Sequence, residues 1–150
     1  MLMMILSDDG WRCLNLHACD KLVDIRIHML TGRSMVHDIG ASLRCTISIL
    51  RHPPPSLKNI ELFLLPRTQT LHRDPHIPLE ELDWAPLDEM LCGRGYPEAT
   101  LTMNFGMISR FASEEVASTP LLRFADIIHE RLPMAAQQGR LKVIKELQVK

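Results

Sequence analysis

The clearest pattern in the chain is an alternation of apolar and other residues in the segment 53–65, PPPSLKNIELFLL. After the prolines, Ile60, Leu62 and Leu64 occupy every second position and alternate with Asn59, Glu61 and Phe63. Successive side chains of a strand point to opposite faces, so this period of two predicts a strand with one apolar face.

The same spacing recurs on both sides of this segment. Leu22, Ile25, Ile27 and Met29 repeat it upstream, residues 96–105 repeat it downstream, and residues 139–143 carry a weaker copy. The pattern therefore predicts a repeat array in which the central strand is accompanied by strands over about 23–29, 99–105 and 140–146, and it permits a short strand over about 12–16.

Residues between the predicted strands have helical spacing. Leu43, Ile47 and Leu50 predict a helix that opens near Ala41, after a turn region over 31–40, and that ends before the prolines at 53–55. A second helix is predicted over 79–91, with a proline in its first turn and Gly93 after its end, and the segment 66–78 is expected to be an exposed connection.

The last predicted helix has a start signal and a buried stripe. Residues 109–119 are polar and are expected to be partly helical, and Thr119 and Pro120 suit the N-cap and the first helical position of the helix proper. Phe124, Ile128 and Leu132 follow at helical spacing after Leu121. Pro133 is expected to end the helix, and Gly139 is expected to lead the chain into the final strand.

Helices that connect successive strands imply a parallel sheet with right-handed crossovers. Strands covered on both faces read as continuous apolar runs, whereas these alternate, so helices are expected on one face only. The predicted fold is therefore α/β, a short leucine-rich-repeat-like solenoid of parallel strands with helices on one face. Residues 1–10 are interpreted as an N-terminal remnant without a partner of its own, and residues 11–150 as the repeat domain.

The outward positions of the strands form the candidate protein-binding surface. In the simplest register Arg26, Glu61 and Thr100 lie side by side across the sheet, and Lys142 could join this row or the next. The next row consists of His28, Phe63 and Thr102. The candidate set, which also includes one residue beyond these rows, is Arg26, His28, Glu61, Phe63, Thr100, Thr102, Asn104 and Lys142.

Composition narrows the range of partners. The chain has 150 residues, 17 basic and 18 acidic, with a net charge of −1, which argues against nucleic acid or an anionic membrane as the partner. One domain is expected at this length. The apolar run MLMMIL is far shorter than the roughly 18 residues that span a bilayer, and four scattered cysteines suggest reduced thiols. An intracellular protein, in the cytoplasm or nucleus, is therefore expected.

No catalytic constellation is visible in the sequence. Cys13, His17 and Cys19 supply three metal ligands, whereas structural zinc needs four. The triplet at 72–74, HRD, occurs in protein kinases, but the glycine-rich loop and the other kinase elements are absent. The chain is accordingly expected to be a non-enzyme that needs no cofactor and no metal.

Four motifs together resemble a known group of proteins: LNLHACDKLVDI at 14–25, PPSLKNIEL at 54–62, WAPLDEML at 84–91, and RLP followed by GRLKV within 131–143. In order and spacing they are similar to the C-terminal leucine-rich-repeat-like region of a large group of proteins of mushroom-forming fungi, many of them F-box proteins. The resemblance covers most of residues 11–146.

This resemblance implies that the repeats present a substrate while an N-terminal F-box docks a ubiquitin-ligase adaptor. Only ten residues precede Trp11, so an F-box is not expected here, and the adaptor is a partner only if an F-box lies upstream. The leading hypothesis is a non-catalytic module that binds an unidentified protein. The alternatives are a truncated or decayed fragment without independent function, which would aggregate or dimerise, and a small enzyme.

Overall fold

A computed structural model describes residues 1–5, 16–30, 35–65, 79–109 and 114–149. The strands are β1 (Leu2–Ile5), β2 (Asp24–Leu30), β3 (Asn59–Leu65), β4 (Thr100–Ser109) and β5 (Leu141–Val149). The helices are α1 (Met35–Leu50), α2 (Ala85–Cys92), α3 (Glu114–Arg131) and the short α4 (Pro133–Gln137). Single turns of 3₁₀-helix occupy Leu16–Ala18 and Leu79–Glu81.

The strands form one five-stranded sheet in the order β1-β2-β3-β4-β5. Each described strand pairs in parallel with the next one in sequence. The prediction of an α/β chain with a parallel sheet is therefore confirmed. No helix in the described part of the chain is long and apolar enough to cross a membrane.

The first residues belong to this sheet. Leu2–Ile5 pairs with β2, with Leu2 opposite Ile25. The expectation that residues 1–10 lack a partner is thus wrong for β1. A strand edge offers unpaired N–H and C=O groups, and a short apolar segment in extended conformation can satisfy them. The pairing with β2 shows that Leu2–Ile5 is a strand, whereas the local sequence does not indicate it.

One face of the sheet carries the core. Alternate side chains of β2, β3 and β4 are buried, and they form a single cluster with apolar side chains of all four helices. Among the described residues these strand positions are at most 1% exposed: Ile25, Ile27, Met29, Ile60, Leu62, Leu64, Leu101, Met103 and Phe105. The period of two therefore identified the apolar face of each of these strands correctly.

Three side chains, of Asp88, Tyr96 and Arg140, form hydrogen bonds that hold the helices and loops against this layer. The Asp88 carboxylate in α2, 3% exposed, accepts the backbone N–H groups of Met134 and Ala135 at 3.0 and 2.9 Å and so caps α4. The Tyr96 hydroxyl donates to the Leu50 carbonyl at the end of α1. Arg140 donates to the carbonyls of Ala99 and Tyr96 and ties the start of β5 to that of β4.

Two helices begin earlier than their sequence signals predict. Helix α1 starts at Met35, inside the predicted turn region, and places Ile39 in the core. Helix α3 starts at Glu114 and continues through Pro120, so the prediction that Thr119 caps this helix is wrong. A proline inside a helix removes one hydrogen bond. Burial of Phe124 and the apolar positions after it offsets this cost.

The segment predicted as one helix over 79–91 is divided. A 3₁₀ turn at Leu79–Glu81 precedes α2. Trp84 lies between the turn and the helix, and its indole N–H donates to the Leu79 carbonyl at 2.8 Å. Pro86 lies in the first turn of α2, as predicted. Gly139, with φ of 66°, turns the chain into β5 as predicted, since glycine adopts this left-handed conformation at little cost. The prediction for 66–78 falls outside the described residues. Of the possible strand over 12–16 only Leu16 is described, and it begins a 3₁₀ turn.

The register between β3 and β4 differs from the simplest alignment by two residues. Glu61 lies opposite Thr102 and Phe63 opposite Asn104, whereas the predicted partners were Thr100 and Thr102. The β2–β3 register, with Arg26 opposite Glu61, agrees with the prediction. A shift of two keeps every side chain on its face, so the apolar pattern cannot distinguish these registers.

Candidate protein-binding face

We use the term polar face for the side of the sheet opposite the core, formed by the outward residues of β2 to β5. At its centre Arg26 Nε donates to Glu61 Oε2 over 2.6 Å. The side chains are 36% and 23% exposed. The two residues are directly opposite each other in the register, so rigid backbone on both sides positions the pair. Glu61 Oε1 also accepts a longer hydrogen bond, 3.4 Å, from Asn104 Nδ2.

An aromatic side chain adjoins this ion pair. The Phe63 ring stacks on the His28 imidazole with centroids 5.2 Å apart and an angle of 11° between the planes. The Arg26 guanidinium carbon lies 5.7 Å from the Phe63 ring centroid, which is within the range of a cation–π contact. Phe63 is therefore held from two sides and is not an isolated apolar residue on a polar surface.

The polar face becomes less exposed towards the C-terminal ends of the strands. Asn59 and Lys142 are exposed, Glu61 is partly buried, and Asn104 is only 3% exposed. Two side-chain atoms of this end, His28 Nε2 and Asn104 Oδ1, are buried without a hydrogen-bond partner among the described residues. Polar atoms in this state cost about 1–3 kcal/mol each, so this end of the face is energetically unfavourable when nothing pairs with them.

The electrostatic surroundings of His28 favour its neutral form. Burial lowers the pKa of His28 below its ordinary value of 6.5, and the neighbouring Arg26 charge lowers it further, while Glu61 acts in the opposite direction. A neutral imidazole stacks on Phe63 without placing a second positive charge beside Arg26. Among the described side chains of this end, the Arg26 and Glu61 charges therefore compensate each other.

The N-terminal half of the polar face contains a shallow hollow of about 320 Å³. Asp24 and Asn59 form one side of it, where Asn59 Nδ2 donates to Asp24 Oδ1 at 2.5 Å. Lys142 and Ile144 of β5 form the other side. The hollow is thus bounded by hydrogen-bonded side chains on β2 and β3 and by an exposed ammonium group on β5.

The structure brings most of the predicted residues together. Arg26, Glu61, Thr102 and Lys142 form one row across four strands, which resolves the ambiguous position of Lys142. His28, Phe63 and Asn104 form the next row. Thr100 does not join either row, because it lies opposite Asn59.

Sequence reasoning missed Ile144 as part of this surface. It lies opposite Asn104, in the row of Phe63. Because Val143 and Ile144 are both apolar, the alternation fails at this point of β5. No signal in the local sequence indicates which of the two faces the core. Register with β4 supplies that information.

Metal binding was considered for Cys13, His17 and Cys19. Cys13 lies outside the described residues, and His17 Nδ1 is 3.4 Å from the Pro53 carbonyl oxygen. Within the described ranges no three histidine, cysteine or carboxylate side chains are arranged to hold a metal ion. The polar face carries an ion pair, a stacked aromatic ring and amide groups.

Comparison with protein-family models, with curated proteins and with solved structures found no match to this chain.

Proposed function

We propose that this chain is a non-catalytic protein-interaction module and that its polar face binds another protein. The observation that carries the proposal is the cluster of Arg26, Glu61, Phe63 and His28, fixed side by side on two paired strands. Aromatic residues and arginine dominate the binding energy of protein interfaces, and here they are adjacent.

The architecture that we propose is a leucine-rich-repeat-like solenoid with helices on one face. Support comes from the sequential parallel strands and from the single core, in which the buried helix side chains join the apolar side of the sheet. In such arrays each repeat contacts its neighbours, and the exposed sheet surface is available for recognition.

Rigidity favours this surface as a binding site. The Arg26–Glu61 contact and the His28–Phe63 stack hold these side chains in place before a partner arrives. Binding costs less conformational entropy when the contact groups are already ordered.

The resemblance to fungal repeat regions adds a specific role, in which the bound protein is a substrate presented to a ubiquitin ligase. Adaptor binding belongs to the F-box in such proteins. We therefore propose an unidentified protein as the direct partner of the polar face, and a ubiquitin-ligase adaptor only where an F-box is joined to this chain.

The experiment compares partner capture by two double variants. Glu61→Ala with Phe63→Ala should reduce the captured partner by about tenfold or more, since two central contacts of more than 1 kcal/mol each are lost. The control, Glu89→Ala with Met134→Ala, removes an exposed acidic and an exposed apolar side chain from the helices and should leave capture unchanged.

Quantitative mass spectrometry after affinity capture measures the effect, and circular dichroism verifies that both variants remain folded. Equal capture by a folded face variant and the wild type would reject the polar face as the binding site.

A further inference from the structure

Strand β5 lies at one end of the sheet that the described strands form. Strand β5, Leu141–Val149, is nine residues long and pairs with β4 from Leu141 onward. No described strand pairs with its other side. Outward N–H and C=O groups of such an edge can form a ladder with an added strand.

The apolar layer is also incomplete at this edge. Leu101 and Met103 of β4 are each 1% exposed, whereas their neighbours Leu141 and Val143 in β5 are only partly buried. An added strand with apolar residues beside Leu141 and Val143 would cover them as β5 covers β4. About 25 cal/mol is gained for each Å² of apolar surface removed from water.

One charge at the same edge is not compensated. In the row across the sheet, Arg26 is paired with Glu61, and Thr102 separates that pair from Lys142. Lys142 is exposed and has no acidic partner among the described residues. The position beside Lys142 on an added strand is therefore suited to an acidic residue.

From these three observations we infer that the β5 edge binds an extended segment of the partner protein, which adds to the sheet as a further strand. The segment has the pattern apolar–acidic–apolar, with the acidic residue beside Lys142 and the apolar residues beside Leu141 and Val143. This pattern reads the same in both directions, so it holds for parallel and antiparallel addition. The inference rests on the proposed function and specifies the partner's chemistry.

Head-to-tail stacking of two copies of the chain fits this edge less well. The opposite edge of the sheet is β1, which has only four residues. None of its residues, LMMI, is acidic, so stacking β1 on β5 would leave Lys142 without a carboxylate partner. An acidic segment of another protein can form an ion pair with the Lys142 ammonium group, and β1 cannot.

The test uses a fluorescein-labelled nine-residue peptide of alternating valine and threonine with one central aspartate in a threonine position. A second peptide has lysine in place of the aspartate. Fluorescence anisotropy should show tighter binding of the acidic peptide by up to about fivefold, the upper range for an exposed ion pair. Lys142→Glu should reverse the preference, and the control Lys58→Glu, at an exposed lysine outside β5, should preserve it.

Amide hydrogen exchange identifies the binding position. The acidic peptide should slow exchange within 141–149 and leave β1 unchanged. Absence of saturable binding, protection elsewhere, or a preference that Lys142→Glu does not change would overturn the inference. A free protein that is a dimer by light scattering, and that Lys142→Glu converts to monomers, would assign the edge to a second copy and would also overturn it.

The outcomes separate this inference from the proposed function. If the peptides do not bind but Glu61→Ala with Phe63→Ala still reduces partner capture, the polar face remains the proposed binding site and the β5 edge is rejected. If the peptides bind as expected while that double variant captures the partner as the wild type does, the β5 edge is a binding site and the polar face is not.

Discussion

The two faces of the sheet are built from the same strands but differ in how their side chains are stabilised. On the core face, Ile60, Leu62 and Leu64 are at most 1% exposed and pack against helices. On the polar face, Glu61 and Phe63 alternate with them and are held by an ion pair and a ring stack. Complete burial of an apolar side chain contributes about 1.5–3 kcal/mol, whereas exposed ion pairs contribute about 0–1 kcal/mol.

This difference indicates which face can change without loss of the fold. The core face determines stability, since its side chains cannot be removed without leaving cavities. The polar face contributes little to stability, so its residues can be selected for recognition. Comparing substitutions on the two faces measures how much each face contributes to the free energy of unfolding.

The largest effect is expected for Leu62→Ala. Leu62 is 0% exposed at the centre of the sheet, and truncation should lower the free energy of unfolding by about 2–5 kcal/mol. Thr102→Ala, a truncation on the polar face of the adjacent strand, should change it by no more than about 0.5 kcal/mol. Urea denaturation monitored by circular dichroism gives both values, and similar losses would show that the polar face is also structural.

A smaller loss is expected for Asp88→Ala, which removes the buried carboxylate that caps α4. Two backbone N–H groups, of Met134 and Ala135, would lose their acceptor, at a cost of about 1–3 kcal/mol. Asp126→Ala, at an exposed position of α3, is the control and should have little effect. Denaturation midpoints and exchange of the α4 amides test this. Unchanged exchange would mean that Asp88 does not cap the helix.

The ion pair of the polar face should contribute less than either core substitution. A double-mutant cycle of Arg26→Ala and Glu61→Ala should give a coupling of about 0.2–1 kcal/mol, because both side chains are partly exposed. The coupling should decrease in 1 M salt, where the Debye length is about 3 Å. A value above about 2 kcal/mol would show that the face is more deeply buried than the structure indicates.

The smallest effect is a pH dependence from His28. Its pKa is lowered in the folded chain, chiefly by burial and then by Arg26, so the unfolded chain binds a proton more readily. Stability is therefore fully present above the ordinary histidine value of 6.5 and declines as the pH falls through and below that value. His28→Phe retains a ring beside Phe63 without titrating.

Urea denaturation at several pH values should show a shallower decline for His28→Phe than for the wild type. The difference between the two proteins removes every pH-dependent contribution that they share. Parallel pH profiles would indicate that His28 titrates equally in both states.

Much of the candidate site could be predicted because it depends on the alternation of side chains within each strand. Arg26, His28, Glu61 and Phe63 were placed on one face by the period of two, and the equal spacing of the first two repeats gave their register. The positions of Asn104 and Ile144 in the row of Phe63 could not be predicted in this way. The pairing of β4 required a shift of two residues, and only this shift brings Asn104 beside Phe63.

The sequence by itself determined the alternating strands, the parallel sheet connected by helices, and the face of β2, β3 and β4 that is buried, because these follow from side-chain period and connection length. Tertiary structure alone decided the β3–β4 register, the pairing of Leu2–Ile5, and the helical conformation around Pro120. These depend on contacts between residues distant in the chain, where packing and backbone pairing outweigh local preference.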